Sequence, residues 1–204
     1  MTYVTLRSRV TAMSTDGTVL ELAEHARERT RAARHARSLP LVFVACGLLV
    51  LAWLRAAVSM AFLVEIFVPL AVFLVLYLVM VARRLVTGLG TGTDGYGVVL
   101  VISALTAMVF PIARLVGALF FLGGGLVILG WRGQDRMLWI PGAVLAAASP
   151  LVTFFVLDNH LRFLGPQPSV VVLVAGAVIL IGLGVRAFIA ERALTAPSPM
   201  TDDE

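Results

Sequence analysis

The acidic residue Glu65 lies inside an otherwise apolar run of this chain. An ionised carboxylate is strongly disfavoured in hydrocarbon, so Glu65 must be protonated or paired with a cation. Two arginines are candidate partners: Arg55, which precedes the run, and Arg114, at a break in a later run. The three residues define a candidate intramembrane polar site. It would either bind protons or substrate in an outward-facing cavity, or lock helices together as an ion pair.

A second candidate cluster follows the fifth apolar run and contains Asp158, His160 and Arg162. Asp158 and His160 could bind a metal ion or gate a pore, since imidazole titrates near neutral pH. One histidine and one aspartate are fewer ligands than a zinc site uses. The alternative is a polar exit of a helix at the outer face of a membrane. We therefore expect no metal and no cofactor.

Catalytic signatures are missing from the sequence. It contains no H-E-x-x-H zinc motif and no pair of aspartates within apolar runs. A rhomboid-type protease needs a histidine in its last membrane span, and the apolar run 170–190 has none. We therefore expect that this protein is not an enzyme.

The composition identifies the medium that must surround these residues. The chain is 60% hydrophobic and 14% charged, with a mean hydropathy of +0.98. A soluble domain has about a quarter of its residues charged. A water-soluble fold could not bury this much apolar surface, so lipid must cover the excess. The sequence predicts an all-α integral membrane protein.

The lengths of the apolar runs predict the number of spans. A helix needs about 20 apolar residues to cross a hydrocarbon core of roughly 30 Å. Pro111 and Arg114 divide one long run into two short helices, although a re-entrant kink at this point would leave five spans. We expect a bundle of six transmembrane helices in three hairpins, at about 38–54, 57–82, 97–112, 115–131, 137–157 and 170–190.

Arginine placement predicts the orientation, because cytoplasmic loops carry an excess of cationic residues. Every one of the 16 cationic residues is arginine. With six spans and an inside N-terminus, only Arg55, Arg114 and Arg162 fall outside. Five spans would lose this asymmetry. We therefore expect a plasma-membrane protein with both termini cytoplasmic. Because the cationic residues adjoin apolar spans, we expect no nucleic acid as a partner.

The segments outside the spans are expected to be cytoplasmic. Residues 1–37 carry a basic, amphipathic helix at about 18–37, which begins with a capping box of Thr18 and Glu21. Its arginines would bind anionic lipid head groups, or would simply set the topology on a solvated helix. The polar tail 191–204 is expected to be disordered.

Small residues indicate where helices pack closely in lipid. Gly142 and Ala146 form a small-xxx-small pair, and the fourth run contains three consecutive glycines at 123–125. The segments 124–130 and 176–182 loosely echo each other. The plan of three hairpins resembles the architecture of the HdeD-like acid-resistance membrane proteins.

The sequence is compatible with three functions. The favoured one is a non-catalytic accessory, stress-response or interaction component of the membrane, with a second copy or another membrane protein as partner. The second is a small transporter or channel in which Glu65 and Arg114 line the path. The third and least favoured is an intramembrane enzyme.

Overall fold

The computed structural model describes residues 37–57, 64–87, 95–109, 116–154, 160 and 167–195. Within these residues helices are the only regular secondary structure, which confirms the all-α class for the described part. The basic helix expected at 18–37 lies outside this part except for its last residue. The break between Pro111 and Arg114 and the end of the tail also lie outside it.

The described residues form six helices: α1 (Ser38–Ala57), α2 (Phe67–Thr87), α3 (Tyr96–Met108), α4 (Ala118–Gly133), α5 (Arg136–Thr153) and α6 (Pro168–Thr195). Four of them, α1, α2, α5 and α6, are long and apolar enough to cross a membrane, so the chain has the architecture of a membrane protein. The two shorter helices, α3 and α4, have 13 and 16 residues. At 1.5 Å per residue they are about 20 and 24 Å long, shorter than a hydrocarbon core.

The second helix differs most from the predicted bounds of 57–82. Glu65 is helical, Ile66 forms a turn, and α2 begins only at Phe67. Pro69 explains the interruption, because it has no N–H to donate to the carbonyl of Glu65 and its ring crowds that carbonyl. Pro69 itself lies in the first turn of α2, where proline is tolerated. Glu65 therefore precedes α2 instead of lying within it.

The first and fourth helices are the most buried. Half of the residues of α1 and half of those of α4 are buried, whereas α2, α5 and α6 are buried over a third of their apolar segment or less. Helix α1 packs along α6 and also contacts α2 and α4. The other close pair is the hairpin of α4 and α5, while α3 packs mainly on α2.

Glycine allows α4 and α5 to approach backbone to backbone. A Cβ atom on Gly123 would lie 2.5 Å from both the Ala146 nitrogen and the Gly142 oxygen. A Cβ on Gly142 would lie 2.7 Å from the Gly123 oxygen. No side chain fits there, and Gly123 of α4 faces Gly142 and Ala146 of α5, whereas Gly125 faces Phe73 of α2.

Two adjacent glycines test this close approach. We expect Gly123→Ala to destabilise the protein by about 1–3 kcal/mol, because the added methyl group meets backbone atoms that cannot rotate away. Gly124→Ala is the matched control, since a Cβ at Gly124 meets nothing within 4 Å. The control should be neutral or up to about 1 kcal/mol more stable, since alanine favours the helix. Unfolding by titration with a denaturing detergent, followed by circular dichroism, measures both. Equal effects of the two substitutions would contradict the packing.

Candidate functional site

Two residues of the predicted polar site, Arg55 and Glu65, form an ion pair. Arg55 lies in the last turn of α1. Its Nε donates to Oε1 of Glu65 at 2.9 Å and its Nη2 donates to Oε2 at 3.0 Å. This is the two-pronged geometry in which a guanidinium binds a carboxylate most strongly. The side chains of Arg55 and Glu65 are 19% and 11% exposed, so the ion pair is largely buried in the protein.

The same guanidinium reaches a third element. Nη1 of Arg55 donates to the backbone oxygen of Val152 at 3.2 Å, near the end of α5. The last carbonyls of a helix lack partners within the helix, so Arg55 satisfies one of them. The Arg55 side chain therefore connects the end of α1, the residue Glu65 just before α2, and the end of α5. We call this region the Glu65 end.

Two roles were considered for Glu65, namely binding of a proton or substrate and formation of a structural ion pair, and the hydrogen bonds of its carboxylate distinguish them. Of its two candidate partners, Arg55 binds it, while Arg114 lies outside the described residues. Both carboxylate oxygens accept from the guanidinium, so in this conformation Glu65 is held as an ion pair. Binding a proton or a substrate at Glu65 would require this pair to open.

Ser149 adds a second polar contact at the Glu65 end. Its side chain is fully buried. The Ser149 hydroxyl accepts from the Phe120 N–H at 3.0 Å and donates to the Val116 oxygen at 2.7 Å. The Phe120 N–H belongs to the first turn of α4, where N–H groups need partners from outside the helix. Gly117 has φ +84°, and a Cβ there would lie 3.0 Å from the Ser149 oxygen, so a glycine is required.

The second predicted cluster is only partly described. His160 is exposed, whereas Asp158 and Arg162 lie outside the described residues. Within the described residues, no three His, Cys, Asp or Glu side chains are grouped so that they could hold a metal ion.

A polar network that the sequence analysis missed lies at the opposite end of α1. Glu191 of α6 is only 2% exposed. Its Oε1 accepts from the backbone N–H of Arg37 at 2.9 Å and of Ser38 at 3.3 Å. Its Oε2 accepts from the Ser38 hydroxyl at 2.6 Å. The carboxylate of one helix therefore caps the N-terminus of another, where negative charge is favoured.

Arg37 extends this network to the turn between α4 and α5. Its Nε donates to Oδ2 of Asp135. Oδ1 of Asp135 accepts from the Met137 N–H at 3.0 Å, so Asp135 is the N-cap of α5. The network thus joins the start of α1, the end of α6 and the turn between α4 and α5. We call this region the Glu191 end.

Glu191 was missed because the sixth helix was expected to end near 190, whereas α6 continues to Thr195. The prediction from hydropathy stopped at the end of the apolar run, and the helix continues beyond it through polar residues. The register of α6 carried the missing signal. Buried residues recur along α6 at alternating spacings of four and three, at Leu173, Ala177, Leu180, Gly184 and Ala187, and Glu191 continues that series.

Comparison of the chain with known protein families, with curated proteins and with solved structures finds no match.

The cap on α1 gives a direct stability prediction. We expect Glu191→Ala to lower the free energy of unfolding by about 2–4 kcal/mol, because it leaves the N–H groups of Arg37 and Ser38 without their acceptor. Glu191→Gln keeps one acceptor oxygen, so its effect should be less than half as large. Detergent-induced unfolding measured by circular dichroism compares the two variants with the parent. If Glu191→Ala proved as stable as the parent, the cap would have no energetic importance.

Proposed function

We propose that this chain is a non-catalytic, multi-pass component of the membrane, with an accessory, stress-response or interaction role. The observation that carries this proposal is the state of its buried carboxylates. Glu65 and Glu191 each accept hydrogen bonds from another element, and Asp135 both caps α5 and binds Arg37. These acidic groups hold helices together, and this supports a scaffold role for the protein in preference to a reactive one.

We further propose that six helices span the plasma membrane and that both termini are cytoplasmic. The distribution of charge supports this orientation. Arg55 lies at the Glu65 end. Because α2 starts at the Glu65 end, its terminal arginines belong to the opposite end. The described arginines at the Glu191 end are Arg37, Arg83, Arg84, Arg132, Arg136, Arg186 and Arg192. An excess of this kind marks the cytoplasmic side.

The partners that we propose are lipids and a protein within the membrane. Anionic head groups suit the arginine-rich Glu191 end, since each cationic residue near such a surface contributes about 1 kcal/mol of binding. The exposed faces of the helices are apolar, with Val101 and Leu105 of α3 57% and 59% exposed and Val144 of α5 62% exposed. These faces suit lipid chains, a second copy of this chain or another membrane protein.

The alternative role is a small transporter or channel that uses Glu65 and Arg114. It would require Glu65 to release Arg55 and to face a pathway. Transport and the accessory role therefore differ in one measurable property, which is flux across a sealed bilayer.

Proton flux into liposomes tests the proposal. With purified protein in liposomes that contain a pH-sensitive dye, we expect the parent protein and Glu65→Gln to leak no faster than empty liposomes. The substitution should instead lower stability, because Arg55 would lose its ionised partner. The matched control is Glu191→Gln, which neutralises a carboxylate at the other end. Flux through the parent that Glu65→Gln abolishes and Glu191→Gln preserves would contradict the accessory role and establish transport.

A further inference from the structure

The turn between α4 and α5 carries a symmetrical arrangement of arginine and tryptophan. Residues 131–139, which we call the hairpin tip, begin with Trp131-Arg132 and end with Arg136 and Trp139. Both arginines are exposed, and the two indoles are 78% and 41% exposed. An exposed tryptophan is costly in water, but at a membrane interface its ring is partly in hydrocarbon and its N–H is hydrated.

The backbone of the hairpin tip is fixed by its own hydrogen bonds. The Asp135 N–H donates to the Gly130 oxygen at 2.8 Å, and the Gln134 N–H donates to the Trp131 oxygen at 3.0 Å. This pair of bonds is a Schellman motif, with Gln134 in the left-handed conformation at φ 51°. Arg132 and Arg136 therefore flank a turn whose backbone is held by two hydrogen bonds.

The hairpin tip contains two arginines and one acidic residue, and that acidic residue is engaged by other contacts. Asp135 is 9% exposed, binds Arg37 of the Glu191 network and caps α5. Arg132 extends over the beginning of α3, where a methyl group on Gly95 would lie 3.2 Å from its Nη1. The surface thus presents two exposed guanidinium groups flanked by two indoles.

We propose that the hairpin tip binds the phosphate group of an anionic phospholipid. A guanidinium binds a phosphate through two parallel hydrogen bonds, and two of them on a hydrogen-bonded turn can hold one head group with little loss of conformational freedom. Trp131 and Trp139 place the hairpin tip at the depth of the lipid glycerol and phosphate groups. A zwitterionic lipid fits less well, because its own ammonium group offsets the phosphate charge. The inference rests on the proposed membrane location and adds a defined lipid site to it.

The two indoles provide a local reporter. In a Trp53→Phe protein, the remaining tryptophans are Trp131 and Trp139. This protein is reconstituted into phosphatidylcholine bilayers that contain a small fraction of brominated lipid, which quenches an adjacent indole. We expect brominated phosphatidylglycerol to quench more strongly than brominated phosphatidylcholine at the same fraction. Replacing Arg132 and Arg136 together by glutamine should reduce this preference about tenfold, because it removes the charge-assisted hydrogen bonds to the phosphate.

The matched control removes the same charge from the same end of the molecule. Arg84→Gln with Arg186→Gln changes two exposed arginines on α2 and α6. This control should keep most of the preference, while circular dichroism verifies that both double variants remain helical. Equal loss in the two double variants would show only a diffuse attraction and would overturn the site. Equal quenching by the two lipids in the parent would also overturn it. Displacement of phosphatidylglycerol by inorganic phosphate at matched ionic strength would overturn the choice of a lipid.

A second reporter separates failure of the lipid site from failure of the membrane proposal. Trp53 lies near the Glu65 end and is 64% exposed. In a protein that keeps only this tryptophan, brominated phosphatidylcholine should quench it whether or not the hairpin tip binds lipid. Absence of quenching there would contradict membrane insertion itself, whereas quenching at Trp53 without a lipid preference at the hairpin tip would contradict only the lipid site.

Discussion

The constraint on which this structure depends is the absence of water from a hydrocarbon core, which obliges polar groups to find partners within the protein. Helix α1 meets this constraint at both of its ends. Glu191 from α6 caps its first N–H groups, and Arg55 in its last turn binds Glu65 and the Val152 carbonyl. Each contact also fixes the position of another helix relative to α1.

The two ends of α1 use opposite charges, and each charge has the sign that the helix dipole favours. A carboxylate lies at the N-terminus of α1 and a guanidinium at its C-terminus. Glu65 neutralises the charge of Arg55, and the Glu191 carboxylate accepts hydrogen bonds from the backbone of Arg37 and from Ser38. These contacts satisfy the hydrogen-bonding groups of Glu65, Arg55 and Glu191 beside apolar helices. Among the described residues, Asp135 and Glu191 are both engaged, and Arg84, Arg132, Arg136 and Arg186 are exposed cations at the Glu191 end.

The sequence was sufficient for properties that depend on local composition and insufficient for those that depend on contacts. Apolar runs predicted the helices, since hydropathy reports the medium directly. The described helix α2 begins at Phe67, inside the apolar run, because the effect of Pro69 falls on the carbonyl four residues earlier, at Glu65. The choice between Arg55 and Arg114 as partner of Glu65 needs the relative position of helices, which one sequence does not contain. Glu191 was missed because an average over a span hides the register that places one acidic residue in a buried stripe.

The most direct test of this account is the rate of hydrogen exchange at the start of α1. It is measured at single-residue level for the unmodified chain in lipid nanodiscs. The first N–H groups of a helix normally exchange quickly, because they have no partner within the helix. The account predicts that the N–H groups of Arg37 and Ser38 exchange as slowly as those of the buried middle of α1, since Glu191 accepts from both. Exchange at the rate of an unprotected helix end would contradict it.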